Sequence, residues 1–172
     1  PERQHGLKRR DAVHQTTEEL RQAVSQHLIS DVPLGIFLSS GIDSTALAAV
    51  ATEVHDGPVH TITLGFDQED YDEAADAERI AKHLGTEHQT VRISGSFILD
   101  HLDAALHAMD QPTVDGFNTY FVSKATRAAG LTVALSGLGG DELFCGYASF
   151  RDVGRALRLR QALRLLRPCN AL

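Results

Sequence analysis

The sequence lacks the features that mark membrane-spanning, exported and metal-clustering proteins. No apolar run approaches the roughly 20 residues that a membrane-spanning helix needs, and no signal-peptide pattern is present. Cysteine occurs twice, as Cys145 and Cys169, and neither belongs to a CxxC or CxxxH spacing. We therefore expect no membrane partner and a reduced, cytoplasmic setting.

Methionine and positive charge are also scarce. The chain has one methionine among 172 residues, does not begin with it, and opens with a polar, basic segment. We therefore expect residues 1–10 to be a linker from an upstream domain. The net charge of -7 argues against a nucleic-acid-binding surface over most of the chain.

Helical and strand patterns alternate along the chain, whose length suits one ordinary domain. Strands are predicted at residues 33–38, 59–66, 88–93 and 131–135. Helices are predicted at residues 11–30, 45–54, 71–84, 94–109 and 118–129. This order predicts an α/β fold, with a parallel sheet covered by helices on both faces.

The first candidate site is a polar turn between the first predicted strand and the helix after it. Free N–H groups and the helix dipole make such a turn a phosphate site. Glycine allows close backbone approach to an anion, and four hydroxyls could donate to phosphate oxygens. The alternative is a serine-rich N-cap with Asp43 satisfying the helix donors. The turn comprises Ser39, Ser40, Gly41, Ile42, Asp43, Ser44 and Thr45.

The second candidate site is a glycine-rich stretch at residues 136–147, directly after the fourth predicted strand. An ordinary loop with Asp141 as N-cap is the alternative reading. In open α/β sheets, however, ligands bind where the strand order reverses. If strands one and four are neighbours there, Asp43 and Asp141 face each other across one crevice. Two carboxylates beside a triphosphate suit Mg²⁺.

The turn resembles the pyrophosphate loop of the N-type ATP pyrophosphatases, Ser-Gly-Gly-x-Asp-Ser, which implies an adenine nucleotide alpha hydrolase-like fold. Together with residues 31–35, 85–88 and 136–147, it resembles the synthetase domain of glutamine-hydrolysing asparagine synthetase over residues 11–150. The resemblance implies that ATP activates the side chain of L-aspartate as an adenylate and pyrophosphate leaves. Ammonia from a glutaminase domain then attacks the acyl carbon. The family's catalytic lysine would lie further downstream.

The resemblance also implies a role for individual residues. The ATP and pyrophosphate group would be held by Ser39, Ser40, Gly41, Asp43, Ser44 and Thr45. Asp43 and Asp141 would carry magnesium and form the catalytic pair. Adenosine would be contacted by Phe37, Leu64, Ser136 and Gly137.

Three residues depart from the family pattern. Ser40 and Cys145 replace glycines, and Leu138 replaces an acidic residue on the substrate side. Serine at position 40 is expected to cost backbone freedom. Two alternatives therefore stay open: a related amide- or β-lactam-forming ligase that uses another carboxylate, and a catalytically silent ATP-binding module.

The last segment, residues 151–172, is predicted to be a basic helical tail that starts the C-terminal half of the family's domain. Residues 151–167 hold six arginines and one aspartate. We expect its leucines to pack against helices further along the chain. The alternatives are a membrane or partner surface, and self-association into a homodimer.

Overall fold

A computed structural model of the chain describes residues 8–66, 73–113 and 115–165. Its strands are β1 (Leu34–Phe37), β2 (His60–Phe66), β3 (Glu87–Ile93) and β4 (Val133–Leu135). Its helices are α1 (Arg9–His27), α2 (Ile42–Val54), α3 (Ala74–Leu84), α4 (Gly95–Asp100), α5 (Leu102–Ala108), α6 (Gly116–Ala128), α7 (Gly140–Phe144) and α8 (Ala148–Leu165). The chain forms two compact units, Pro1–Gly137 and Leu138–Leu172, so α7 and α8 belong to the second.

The sheet of the first unit has the order β3-β2-β1-β4, with every neighbouring pair parallel. β2 and β3 extend from one side of β1, whereas β4 lies on the other side. The strand order therefore reverses between β1 and β4, which is where open α/β sheets bind ligands. The prediction of a parallel α/β sheet is confirmed, and strands one and four are neighbours.

Apolar cores cover both faces of this sheet, as predicted. One core joins α1, α2 and α3 to β1, and its small residues let the helices lie close to the strands. Its buried members are Val24, Ile36, Leu38, Ala48, Ala51, Val59, Ala77 and Ala81. The second core joins α5 and α6 to β3, and its buried members are Ile93, Ala105, Phe121 and Ala125.

Several helix boundaries differ from the sequence-based prediction: α1 and α6 each begin two residues early, and two further differences have a local cause. α2 begins at Ile42, three residues early, because Gly41 already has the extended conformation of an N-cap. The single helix predicted at residues 94–109 is wrong, since the chain leaves helical geometry at His101 (φ -113°, ψ 7°). The His101 ring nitrogen Nδ1 lies 2.8 Å from the carbonyl oxygen of Phe97, so the side chain binds the backbone where the helix breaks.

Glycines end two helices, because Gly85 and Gly130 adopt left-handed φ angles of 74° and 82°. Residues 71–72, predicted to open α3, lie outside the described residues. The basic tail is helical in α8, as expected. Among the helices that the structure describes, none is long and apolar enough to cross a membrane.

Candidate functional site

A network of hydrogen bonds between Ser39 and Ser44 shapes the phosphate loop, which we define as residues 39–45. The Ser39 N–H donates to Ser44 Oγ at 3.1 Å, and the two hydroxyl oxygens are 2.8 Å apart. The Gly41 N–H donates to Ser39 Oγ at 3.2 Å. Ser44 Oγ also lies 3.2 Å from the carbonyl oxygens of Ser39 and Gly41. Both hydroxyls therefore stabilise the loop. A ligand that binds either hydroxyl would have to replace these internal hydrogen bonds.

Ser40 sits in the loop without backbone strain. Within the described ranges, Cys145 is the non-glycine residue with a positive φ, so Ser40 does not need the left-handed conformation that favours glycine. Serine at position 40 therefore causes no left-handed strain, and its cost in backbone freedom relative to glycine stays a prediction. The Ser40 N–H donates to Glu73 Oε2 at 3.1 Å, which ties the loop to the start of α3.

The N-terminus of α2 is open. No side chain caps it, although Asp43 lies in its first turn. The alternative reading, in which Asp43 satisfies the helix donors, therefore fails. The N–H groups of Ile42, Asp43 and Ser44 have no acceptor within the helix, and the dipole adds partial positive charge there. Backbone donors without a side-chain cap at a helix terminus suit an anion such as phosphate.

Thr45 carries an unusual hydroxyl. Its Oγ1 is buried and has no hydrogen-bond partner in the part of the chain that the structure describes. Thr45 and Ser40 line a cavity of about 350 Å³ beside the phosphate loop. The other lining residues come from α3: Asp76, Arg79, Ile80, His83 and Leu84. A buried donor without a partner costs stability. The Thr45 hydroxyl is therefore available to donate a hydrogen bond to a ligand oxygen.

The residues just after β4 lie directly against this helix terminus. A β-carbon added at Gly137 would lie 2.8 Å from the backbone nitrogen of Ser44 and 3.0 Å from the carbonyl carbon of Asp43. Backbone atoms cannot yield as a flexible side chain can, so glycine alone fits. The first residues of the glycine-rich stretch therefore lie against the first turn of α2.

The predicted adenosine residues gather at the carboxyl ends of neighbouring strands. The register pairs Phe37 with Ile62, so Leu64 lies on the next strand, one step further along the same face. Leu135 pairs with Ile36, which puts Ser136 and Gly137 just beyond it. Leu64 also packs against the second core. The structure thus brings Phe37, Leu64, Ser136 and Gly137 to one edge, while their contact with adenosine stays a prediction.

In the second unit, α7 carries Asp141 in its first turn. The helix follows Gly139, and no side chain caps it, so the reading of Asp141 as a simple N-cap fails. A β-carbon at Gly146 would overlap the carboxylate of Asp141, so this glycine leaves room for that side chain. Cys145 follows α7 directly and precedes Gly146, and its backbone is left-handed (φ 59°).

Asp43 and Asp141 have the chemistry of magnesium ligands. Within the described residues, neither carboxylate has a hydrogen bond or an ion pair. Free carboxylates are hard oxygen ligands, which Mg²⁺ takes together with phosphate oxygens and water. Groups of three or more His, Cys, Asp or Glu that could hold a metal do not occur in the described part of the chain. Asp43 belongs to the first unit and Asp141 to the second, and their pairing stays a prediction.

Glu73 is the site residue that sequence reasoning missed. The available signal was topological: α3 follows β2, and β2 neighbours β1 in the sheet. An acidic residue just before α3 can therefore reach the turn after β1.

The family model described as Asparagine synthase matches residues 15–169 of this chain. The chain belongs to the asparagine synthase family. The resemblance inferred from the two motifs is thus confirmed. Asparagine synthetase [glutamine-hydrolyzing] 1 of Bacillus subtilis is 37% identical over 142 residues, which cover 81% of this chain and 22% of that protein. Asparagine synthetase B [glutamine-hydrolyzing] of Escherichia coli is 31% identical over 164 residues, covering 83% and 29%.

This member of the asparagine synthase family spans less than a third of the length of those two relatives. Among solved structures, a U34-tRNA thiolase from Methanococcus maripaludis matches with a TM-score of 0.51 at 13% identity. The match covers 73% of this chain and 45% of the thiolase. At that identity the likeness concerns the fold alone, and it agrees with the parallel α/β arrangement of the first unit.

Proposed function

We propose that this chain is the ATP-binding synthetase part of a cytoplasmic, glutamine-hydrolysing asparagine synthetase. In this proposal it is a carbon-nitrogen ligase that converts L-aspartate, ATP and ammonia into asparagine, AMP and pyrophosphate. The observation that carries the proposal is the uncapped N-terminus of α2. It lies where the strand order reverses, and Gly137 is packed against it. Membership of the asparagine synthase family supports the choice of reaction.

The phosphate loop would bind the β- and γ-phosphates of ATP. An oxygen of the aspartate side chain would attack the α-phosphorus, and the bond from that phosphorus to the bridging oxygen would break. The electron pair leaves with pyrophosphate, whose growing negative charge the open amides of α2 would stabilise. Phe37 and Leu64 would pack against adenine, and Ser136 and Gly137 would contact the nucleoside.

Asp43 and Asp141 would hold Mg²⁺, which when bound neutralises charge on the departing pyrophosphate. Ammonia from a glutaminase domain would then attack the acyl carbon of the adenylate. The bond between that carbon and the phosphate oxygen breaks, AMP leaves, and the ammonium proton passes to solvent.

ATP–pyrophosphate exchange in the full-length protein tests this proposal. We expect exchange that requires L-aspartate and Mg²⁺, and that falls by about a hundredfold or more in Asp43→Asn. Glu53→Gln is a suitable control, because Glu53 pairs with Arg21 near the far end of α2. Absence of exchange in the presence of L-aspartate would refute the assignment.

A ligase that activates another carboxylate is the second candidate, and Leu138 favours it. This side chain is 89% exposed and stands where the family commonly has an acidic residue. An apolar residue at this position would suit a less polar substrate than L-aspartate. Pyrophosphate release from a panel of carboxylates decides between the two, and preference for another acid over L-aspartate favours the second. Tight ATP binding with no turnover for any acid would instead indicate a silent ATP-binding module.

A further inference from the structure

The first three amides of the phosphate loop are all satisfied by the protein itself. The Ser39 N–H donates to Ser44 Oγ, and the Gly41 N–H donates to Ser39 Oγ. The Ser40 N–H, between them, donates to Glu73 Oε2 at 3.1 Å. These bonds fix the backbone that leads into α2.

The next three amides, at residues 42–44, open α2, and no side chain caps them. The loop therefore divides its donors into a group that the protein itself satisfies and a group without a side-chain cap, which the proposed function assigns to pyrophosphate. Because the second group follows directly from the first, the orientation of the open amides depends on how firmly the first three are held.

Glu73 is the one of these three acceptors that lies outside the loop. It is anchored at the start of α3, where its carbonyl oxygen accepts the Ala77 N–H at 3.0 Å. Ala74 and Ala77 are buried, so the first turn of α3 is fixed against the core. The contact therefore ties a surface loop to a packed helix 33 positions later in the chain.

We propose that Glu73 is a positioning residue: its carboxylate holds the Ser40 amide and thereby orients the open amides of α2 toward pyrophosphate. The inference rests on the proposed function, which makes pyrophosphate the ligand of this loop. The acceptor oxygen, not the charge, performs this role, since a negative charge near the anion would oppose binding. Glutamine at position 73 should therefore accept the Ser40 N–H as glutamate does.

Calorimetric titration of the full-length protein with inorganic pyrophosphate and Mg²⁺ tests the proposal. Glu73→Ala should bind about three- to tenfold more weakly than the wild type, as expected for loss of one hydrogen bond. Glu73→Gln should bind at least as tightly as the wild type. Glu78→Ala, which removes an exposed carboxylate from the same helix, is the control for charge and should not weaken binding. Unchanged or tighter binding by Glu73→Ala would overturn the proposal, and tighter binding would make Glu73 a competitor for the anion site.

Amide hydrogen exchange without ligand separates this inference from the proposed function. In Glu73→Ala, the Ser40 amide should exchange about tenfold faster or more, while Glu73→Gln should keep its protection. Equal exchange at Ser40 in wild type and Glu73→Ala would refute the positioning role. A wild type that binds no pyrophosphate would refute the proposed function, and with it the assignment of pyrophosphate as the ligand that Glu73 serves.

Discussion

Gly137 and Ser44 approach so closely that a β-carbon on Gly137 would lie 2.8 Å from the Ser44 backbone nitrogen. This relationship joins the two motifs of the sequence, because Gly137 follows β4 and Ser44 lies in the first turn of α2. The same turn presents the open amides assigned to pyrophosphate. The close approach therefore makes the geometry of the phosphate loop depend on a glycine about ninety residues away in the chain.

Gly137→Ala should displace the first turn of α2. We expect a loss of about 2 kcal/mol in the free energy of unfolding, since backbone must move to admit the new methyl group. Pyrophosphate affinity should fall about tenfold or more. Gly95→Ala is the matched control, because a β-carbon there meets nothing within 4 Å. Urea denaturation and calorimetry check both, and wild-type behaviour in Gly137→Ala would contradict the close approach.

Ser44→Ala should destabilise the loop. The change removes the acceptor of the Ser39 N–H and the partner of the Ser39 hydroxyl, and Ser44 is buried. An unsatisfied buried donor costs about 1–3 kcal/mol, which chemical denaturation can measure. Ser40→Ala, at an exposed position, should change stability by less than about 0.5 kcal/mol. Equal effects of the two substitutions would show that the hydrogen-bond network does not hold the loop.

Cys145→Gly should stabilise the second unit. Cys145 has a φ of 59°, a conformation that costs a residue with a β-carbon about 1 kcal/mol, so glycine should recover part of that cost. Cys145→Ala keeps the β-carbon and should leave stability nearly unchanged. Thermal unfolding of the three proteins checks this. A lower melting temperature for Cys145→Gly than for Cys145→Ala would contradict it.

His88 should make the protein less stable in mild acid. Burial lowers the pKa of His88, and the weaker attraction of Glu78 opposes that effect. The ring lies between Thr61 Oγ1, 2.9 Å from Nδ1, and Thr90 Oγ1, 3.3 Å from Nε2. The folded state therefore prefers neutral histidine, and the unfolded state binds more protons near its ordinary pKa of about 6.5.

The stabilisation linked to His88 is complete above that ordinary pKa and is lost as the pH falls through the lowered value in the folded state. Urea denaturation between about pH 5 and 8 should show wild type losing more stability than His88→Asn as the pH falls. The difference between the two proteins isolates this residue from the other histidines. Parallel pH profiles would contradict the prediction.

The sequence predicted the layers of the fold because alternating apolar patterns report which faces are buried. It did not predict the order of the strands. The prediction that Asp43 faces Asp141 therefore depended on the assumption that β1 and β4 are neighbours. The break at His101 escaped prediction, because a side chain bonded to the carbonyl of Phe97 leaves no mark in apolar spacing. The start of α2 was placed too late, since serine, glycine and aspartate favour turns as well as helix starts.

At the candidate site, residue type and spacing indicated the phosphate loop but not how its serines are used. Ser39 and Ser44 bond to each other across the turn, whereas the open donors are backbone amides that every sequence possesses. Glu73 was missed because its contact links residues 33 positions apart. The cause in each case is tertiary geometry, which local sequence does not encode.

The backbone amides that open α2 are assigned to pyrophosphate, and replacing Ile42 with proline removes one of them. Proline suits the first helical position, and Gly41 has the extended backbone (φ -68°, ψ 153°) that a residue before proline prefers. Ile42 is 85% exposed, so its side chain contributes little to packing. Ile42→Pro therefore removes one N–H donor and leaves the helix in place.

Calorimetry with inorganic pyrophosphate and Mg²⁺ should compare this variant with Ile42→Ala, which keeps the N–H group. We expect wild-type affinity for Ile42→Ala and about tenfold weaker binding, or more, for Ile42→Pro. Circular dichroism should show the same helix content in both. Equal affinity of the two variants for pyrophosphate would contradict the claim.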